Sequence, residues 1–225
     1  MKTVYMFAMP GEAQGIVGGL TRFWETAGTD LYAVGNGAVV CVGGVGKVNA
    51  AMAAQAVIDL LKPDLIVNAG IAGSMREETM AKPVLIHTFV QHDVDTTGVG
   101  DEIGMVSTVE KKTFVATGYD TIEKIMQKKG IDHGTGRLAT GDWFMVDGAR
   151  RKWVEDMFRP DYIDMEAGAI AQVCYRNDTK FASVKTISDC ITGDGTRFGY
   201  KDGYTAAVER LDAVMKAVIE ALAEV

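Results

Sequence analysis

Apolar positions along this chain change their spacing segment by segment, and the changes mark its elements. Residues 4–9 run almost unbroken apolar at a length that suits a buried strand. After Pro10-Gly11 the pattern predicts a helix through residues 20–25, weakened by Gly15, Gly18 and Gly19. Residues 31–34 and 38–42 read as two strands joined through Gly35-Asn36-Gly37, which contains a strong hairpin dipeptide. From Lys47 to Leu61 the period becomes helical: Val48, Ala51, Met52, Ala54, Val57, Ile58 and Leu61 recur in an alanine-rich run that Lys62-Pro63 closes. Residues 64–68 then form a buried strand.

The second half repeats this alternation. Residues 83–95 are β-rich, Phe114 and 119–129 predict a helix ending at Gly130, and 136–140 predict a strand entering Gly141-Asp142. A helix over 150–158 stops at Arg159-Pro160, and 162–164 form a short strand. Glu166 opens a helix in which Ala167, Ile170, Ala171, Val173 and Cys174 fall on one face. Residues 181–188 supply the last strand, and an amphipathic helix covers 204–223. Strands alternating with helices predict an α/β fold, one domain over residues 1–225, with a central mixed and mostly parallel sheet covered on both faces. No internal repeat, low-complexity tract or linker interrupts it.

Composition narrows the class. The chain has 225 residues, 48% hydrophobic and 24% charged, enough for a sizeable core. A net charge of −7 argues against nucleic acid, whose backbone is held by clustered Lys and Arg. The three cysteines, Cys41, Cys174 and Cys190, form no CxxC and predict a reducing cytoplasm. The apolar start is too short for a signal core, and no segment approaches the roughly 18 apolar residues of a membrane span, so a soluble protein is expected. His87, His92 and His133 are scattered without metal spacing. Neither a metal nor another cofactor is implied.

The run Val42-Gly43-Gly44-Val45-Gly46-Lys47-Val48-Asn49 lies between a strand and a helix, where backbone N–H groups could receive an anion. It fails the Walker pattern, because Cys41 stands where the first glycine belongs and Val48 where Ser or Thr would bind magnesium. It fails the dinucleotide fingerprint because Asn49 replaces the third glycine. A tight, closely packed strand-to-helix turn explains it equally well.

Three acids stand at element ends. Glu12 follows Pro10-Gly11, Glu166 opens a helix, and Asp189 ends an apolar strand, where ligands of open α/β sheets gather. Each has a plain structural reading too: Glu12 and Asp189 as capping acids, Glu166 as a first-turn acid matched to the helix dipole. The wording around them, Ile163-Asp164-Met165-Glu166-Ala167-Gly168-Ala169-Ile170 and Val184-Lys185-Thr186-Ile187-Ser188-Asp189, resembles the nucleoside phosphorylase and nucleosidase superfamily, within it the hydrolases of 5′-methylthioadenosine and S-adenosylhomocysteine. The resemblance spans nearly the whole chain and implies a nucleoside phosphorylase-like fold.

Cleaving an N-glycosidic bond requires a proton for the departing base, stabilisation of a cationic sugar and a positioned nucleophile. The resemblance implies Asp189, beside Ser188, as general acid at purine N7, and Glu12 as general base for water. It implies Glu166, assisted by the Met165 backbone, on the ribose hydroxyls, with Met9 and Ile71 near the sugar. The loop Thr140-Gly141-Asp142-Trp143-Phe144-Met145 is similar to the family's purine loop, Phe144 stacking on the base and the Met145 backbone reading its edge. Trp143 and Phe144 would alternatively be core. An acid at 189 suits a 6-aminopurine, because a protonated carboxyl donates to N7 while its other oxygen accepts from the amino group.

Superfamily phosphorylases carry an arginine just before the second glycine segment, where this chain has Asn68 in Asn68-Ala69-Gly70-Ile71-Ala72-Gly73, so water is favoured over phosphate. Two departures stand out: Lys185 where relatives usually have Arg, and Ile71 where Ser or Thr is common. A glycine-spaced stretch over 192–200 resembles a lid whose aromatic would be Phe198 or Tyr200. His92-Asp93-Val94-Asp95 is similar to a segment near the family's subunit interface, which implies a homodimer. Rival expectations are a futalosine or aminodeoxyfutalosine hydrolase, which Ala8-Met9-Pro10-Gly11-Glu12-Ala13 also resembles, a purine nucleoside phosphorylase, and a nucleoside-binding protein without catalysis.

Overall fold

The computed structural model describes every residue except 36, 192–196, 199 and 225, and of 197, 198 and 200–202 it describes the backbone. The chain runs β1 (Thr3–Phe7), α1 (Pro10–Val17), β2 (Arg22–Thr26), β3 (Thr29–Gly35), β4 (Ala38–Val42) and α2 (Lys47–Leu61). It continues with β5 (Leu65–Ser74), β6 (Pro83–Gln91), β7 (Phe114–Val115), α3 (Tyr119–Lys128), β8 (Gly134–Thr140) and α4 (Gly148–Phe158). The last elements are β9 (Tyr162–Asp164), α5 (Ala167–Arg176), β10 (Lys180–Ile191), β11 (Arg197–Phe198) and α6 (Tyr200–Ala223).

The strands form one mixed sheet. Parallel ladders join β1 to β4 and β5, β5 to β10, and β8 to β6 and β9, while the hairpin β2–β3–β4 and the short β7 and β11 pair antiparallel. Because β10 bonds to β5 along one edge and to β6 along the other, and β9 bonds to β5 and β8, the strands β5–β10–β6–β8–β9 close into a ring. Closure removes the edges that an open sheet would leave on those strands.

Side chains alternate across the sheet and so feed two cores. Val4 and Met6 of β1 join Val57 of α2 and Ile170 of α5 on one face, whereas Tyr5 and Phe7 join Ile122 of α3 and Val214 of α6 on the other. Helices therefore cover both faces, as the alternation of elements predicted. On α2 the buried positions Ala50, Ala53, Ala54 and Val57 make one stripe, and small residues let the helix lie close to α5. A third cluster, with Val90, Ala139, Met145, Val154 and Phe158, lies beneath α4. Among the described residues no helix is long and apolar enough to cross a membrane.

Three local expectations are corrected. The helix after Pro10 stops at Val17, since Gly18 and Gly19 follow with Gly19 at φ 82°, and residues predicted helical up to Glu25 instead enter β2. Phe23, Trp24 and Thr26 favour a pleated strand, and Ala27 and Gly28, both at positive φ, form the two-residue turn that folds it onto β3. The glycine segment after Asn68 is the second half of β5, and the final strand is longer than predicted and followed by β11. Residues 192–196 and 199, and the side chains of Phe198 and Tyr200 on which the lid expectation rests, lie outside the described residues.

Candidate active site

The strand ends of β1, β5, β9 and β10 open onto one cavity at the carboxyl side of the sheet, lined in part by Met9, Glu12, Ile71, Asp164, Glu166 and Ser188. Phe144, Met145 and Met165 line it as well. Eight of the nine predicted site residues thus meet in one place. The ninth, Asp189, is fully buried directly behind Ser188.

Glu12 is the third residue of α1 and its carboxylate turns back on the chain. Oε2 accepts the Met9 N–H at 2.9 Å, the side-chain half of a capping box, and Oε1 accepts the Ile71 N–H at 2.9 Å. The capping role is real, yet Oε1 also reaches β5 at the cavity wall. A carboxyl only 3% exposed is pushed up by desolvation, and the nearby Lys185 ammonium and backbone N–H groups pull against that shift.

Glu166 precedes α5 without capping it. The first amides of that helix go elsewhere: Ala167 N–H donates to Asp164 Oδ2 at 2.9 Å and Gly168 N–H to Thr140 Oγ1 at 2.8 Å. Relieved of capping, Glu166 accepts the Gly46 N–H through Oε1 and presents the rest of its carboxylate to the cavity. Its pKa is pushed up to about 7, first by burial and then by the Asp164 charge, against the pull of Lys185. The simple first-turn reading of Glu166 is therefore replaced.

Ser188 sits in a bulge. In the parallel ladder Ile187 pairs with Ala72 and Asp189 with Gly73, so Ser188 is the extra residue. Strict alternation would send Ser188 and Asp189 to opposite faces. Here the Ser188 hydroxyl donates to Asp189 Oδ1 at 2.6 Å, and both side chains are buried, Ser188 at the cavity wall.

The glycine loop has its amides filled from within. Gly46 N–H goes to Glu166, and Lys47 N–H, at the start of α2, donates to Asp142 Oδ1 at 2.8 Å. Positive φ at Gly44 (89°) and Gly46 (94°) permits this approach, and a Cβ on Gly46 would lie 2.9 Å from Asp142 Oδ1. Two protein carboxylates occupy the place where a helix N-terminus would receive phosphate.

Asp142 also fastens the loop that carries Phe144: its N–H donates to Asp93 Oδ2 at 2.9 Å, and Lys47 Nζ pairs with Asp93 Oδ1 at 2.6 Å. Trp143 leans on His92 at 5.0 Å between ring centroids and carries the Arg150 guanidinium on its ring. Phe144 is 49% exposed, which excludes the core alternative for it and leaves its ring at the cavity mouth.

Asp164 and Lys185 were not singled out as site residues from sequence. Asp164 Oδ2 pairs with Lys185 Nζ at 2.9 Å, and Oδ1 accepts the Thr140 hydroxyl at 2.6 Å. The spacing Asp164-Met165-Glu166 was visible, but nothing in one dimension shows that the first acid caps and the second is freed. Asn68, where a phosphorylase arginine was considered, is a buried sheet residue that accepts the Ser183 hydroxyl and donates to Met6 O. Among the described residues lining the cavity none is Arg, Lys or His.

A family model described as Phosphorylase superfamily matches residues 2–220. The 5′-methylthioadenosine/S-adenosylhomocysteine nucleosidase of Bacillus subtilis (strain 168) is 33% identical over 189 residues, covering 82% of this chain and 81% of that one. Among solved structures, a Helicobacter pylori 5′-methylthioadenosine/S-adenosyl homocysteine nucleosidase is 19% identical at a TM-score of 0.88, covering 98% of each chain. A futalosine hydrolase of Helicobacter pylori strain 26695 is 18% identical at a TM-score of 0.87, covering 98% of this chain and 97% of that one. Those last two likenesses are of fold.

Proposed function

The chain belongs to the phosphorylase superfamily, and we propose that it hydrolyses the N-glycosidic bond of 5′-methylthioadenosine, S-adenosylhomocysteine or a close 5′-substituted adenosine. The products are adenine and the 5′-thio-ribose. The observation that carries this reading is the pair of buried carboxylates, Glu12 and Glu166, reaching one cavity from α1 and from the start of α5.

In this reading the substrate lies with its base under Phe144 and its sugar between the two acids. Asp189, joined to Ser188, protonates the purine at N7, so the base leaves as a neutral molecule. Glu166 accepts from the ribose hydroxyls, and its negative charge stabilises the ribosyl cation from a largely buried position. Glu12 takes a proton from a water as its oxygen bonds to the anomeric carbon. No metal or other cofactor enters any step.

Water is favoured over phosphate because the described residues lining the cavity offer no bidentate cation, and because the glycine-loop amides already hold Glu166 and Asp142. Adenine release from 5′-methylthioadenosine, adenosylhomocysteine, adenosine and futalosine, measured with and without phosphate, tests this. The expected result is phosphate-independent release favouring the 5′-thio substrates. A phosphate or arsenate requirement refutes hydrolysis, and preference for futalosine transfers the same chemistry to the rival substrate.

We further propose a homodimer. Val45 lines the cavity and is 43% exposed, and Val48 and Met52 on the adjoining turns of α2 are 77% and 40% exposed. A second copy seated on this apolar strip would cover it and narrow the cavity mouth. Light scattering on the eluting protein should give twice the chain mass, and Val48→Asp should give one. A reducing cytoplasm accords with three free cysteines.

A further inference from the structure

Glu12 stands in a wall that has little else to offer a nucleophile. Its oxygens accept the N–H groups of Met9 and Ile71 at 2.9 Å each, and Ala8 adds a further backbone hydrogen bond. A carboxylate has about four lone-pair sites, so about one is left for a hydroxyl arriving from the cavity. Behind the carboxylate β5 carries Gly70, where a Cβ would lie 2.9 Å from Oε1, so Glu12 rests there on bare backbone. The side chains beside it on the cavity wall are Ala8, Met9, Ile71 and Ala72. None of them is a strong hydrogen-bonding group. Ile71, half-buried at the cavity, presents a branched hydrocarbon where a Ser or Thr would present a hydroxyl. A water on Glu12 gives one O–H to the carboxylate and turns the other toward these apolar side chains, where an unmade hydrogen bond is costly. A primary alcohol has a single O–H to give, and its alkyl group covers apolar surface instead. Molecule for molecule, this wall favours the alcohol.

We propose a further activity: the protein transfers the 5′-thio-ribosyl group to small primary alcohols, with Glu12 as the base and Ile71 as the residue that selects them over water. This rests on the hydrolase reading. In the step the C1′–N9 bond breaks with its electron pair going to the base, and Asp189 gives a proton to N7. The alcohol oxygen bonds to C1′ and its proton passes to Glu12, which releases it to solvent while Asp189 recovers one. The products are adenine and an alkyl 5-thio-riboside, and the alcohol is the only co-reactant. Because the alcohol is held by Glu12 on one wall, it reaches one face of the sugar, and a single anomer forms.

The test is the fate of the sugar when the full-length protein cleaves 5′-methylthioadenosine in dilute methanol. Chromatography separates the methyl riboside from the free sugar, and NMR assigns its anomers. The methyl riboside should exceed methanol's share of the solvent molecules by about five- to tenfold, as one anomer. tert-Butanol, too bulky to sit beside Ile71, should give no riboside. In Ile71→Ser the added hydroxyl gives water its second partner, and the riboside should fall to methanol's share of the solvent or below. That partition is read at whatever rate the variant retains. Adenine release with free sugar alone, or with riboside no greater than methanol's share, overturns the proposal. Mixed anomers or a tert-butyl riboside overturn it too, because they place capture in open solution. An unchanged partition in Ile71→Ser removes the selection by Ile71 and overturns it as well; should that variant not fold, the wild-type partition and anomer count decide. If the wild type releases adenine from no nucleoside of the panel, the hydrolase reading fails and takes this inference with it, whereas normal release in methanol without riboside fails the inference alone.

Discussion

Glu166 Oε1 accepts the backbone N–H of Gly46 at 2.9 Å across 120 residues of sequence. This one bond ties the start of α5 to the glycine loop before α2, and fixes an acid whose protonation the fold itself resists losing.

Glu166 carries a measurable cost in stability. In the folded protein it holds its proton up to about pH 7, whereas in the unfolded chain it ionises in the ordinary carboxylate range. The folded state therefore binds more protons across that interval, and stability falls as pH rises through it, then levels off above pH 7. Glu12 is raised in the same sense. Glu166→Gln, which retains an acceptor for Gly46 N–H, should be more stable than wild type at pH 8 by on the order of 2 kcal/mol, while losing adenine release. Thermal unfolding at pH 5 and pH 8 measures it, and equal gains at both pH values would contradict the assignment.

Glu12→Gln should fold, because an amide oxygen can still accept from one of the two backbone N–H groups at 2.9 Å. Removing the base should lower kcat by about 10²–10⁴ with little change in KM. Steady-state kinetics give the split, and a rise in KM at constant kcat would make Glu12 a binding group.

Asp189→Asn should lower adenine release by about 10²–10⁴, since the amide cannot supply the proton the base needs. Ser188→Ala removes the 2.6 Å hydroxyl contact and should cost about tenfold. Substrates whose base leaves without protonation, such as a nitrophenyl riboside, should be spared by both changes. Unaltered adenine release by Asp189→Asn would remove it from the chemistry.

Asp142→Ala should loosen the loop that carries Phe144 by cutting its side-chain bond to Lys47 N–H, while its backbone N–H still donates to Asp93. Losing that bond, at about 1 kcal/mol, should weaken adenine binding about fivefold in calorimetry, with a smaller effect on kcat. An unchanged affinity would mean the clamp serves only the fold.

Legibility followed dimension. Helix α2 was readable to its end residues because an alanine-rich period, Lys62 and Pro63 are all local signals. Strand β2 was not, because a glycine-laced run hid its start and the deciding feature was a turn at Ala27-Gly28. The cavity acids were found through wording shared with a family, and their convergence depends on ladders that place β1, β5, β9 and β10 side by side. Asp164 escaped for the same reason, and Lys185 stood out only as a departure from the relatives' arginine: their pairing at 2.9 Å depends on the sheet.

The extra residue in β10 links chain length to chemistry. Deleting one residue near Ser188 would let the ladder with β5 run in even register. It would also send the hydroxyl and the acid to opposite sides of the sheet, separating a pair that a strand of ordinary pleat cannot hold together. Inheritance of the proposed proton donor therefore depends on a count of residues as much as on their kinds, and a frame-preserving loss of a single codon there should disarm a protein that still folds.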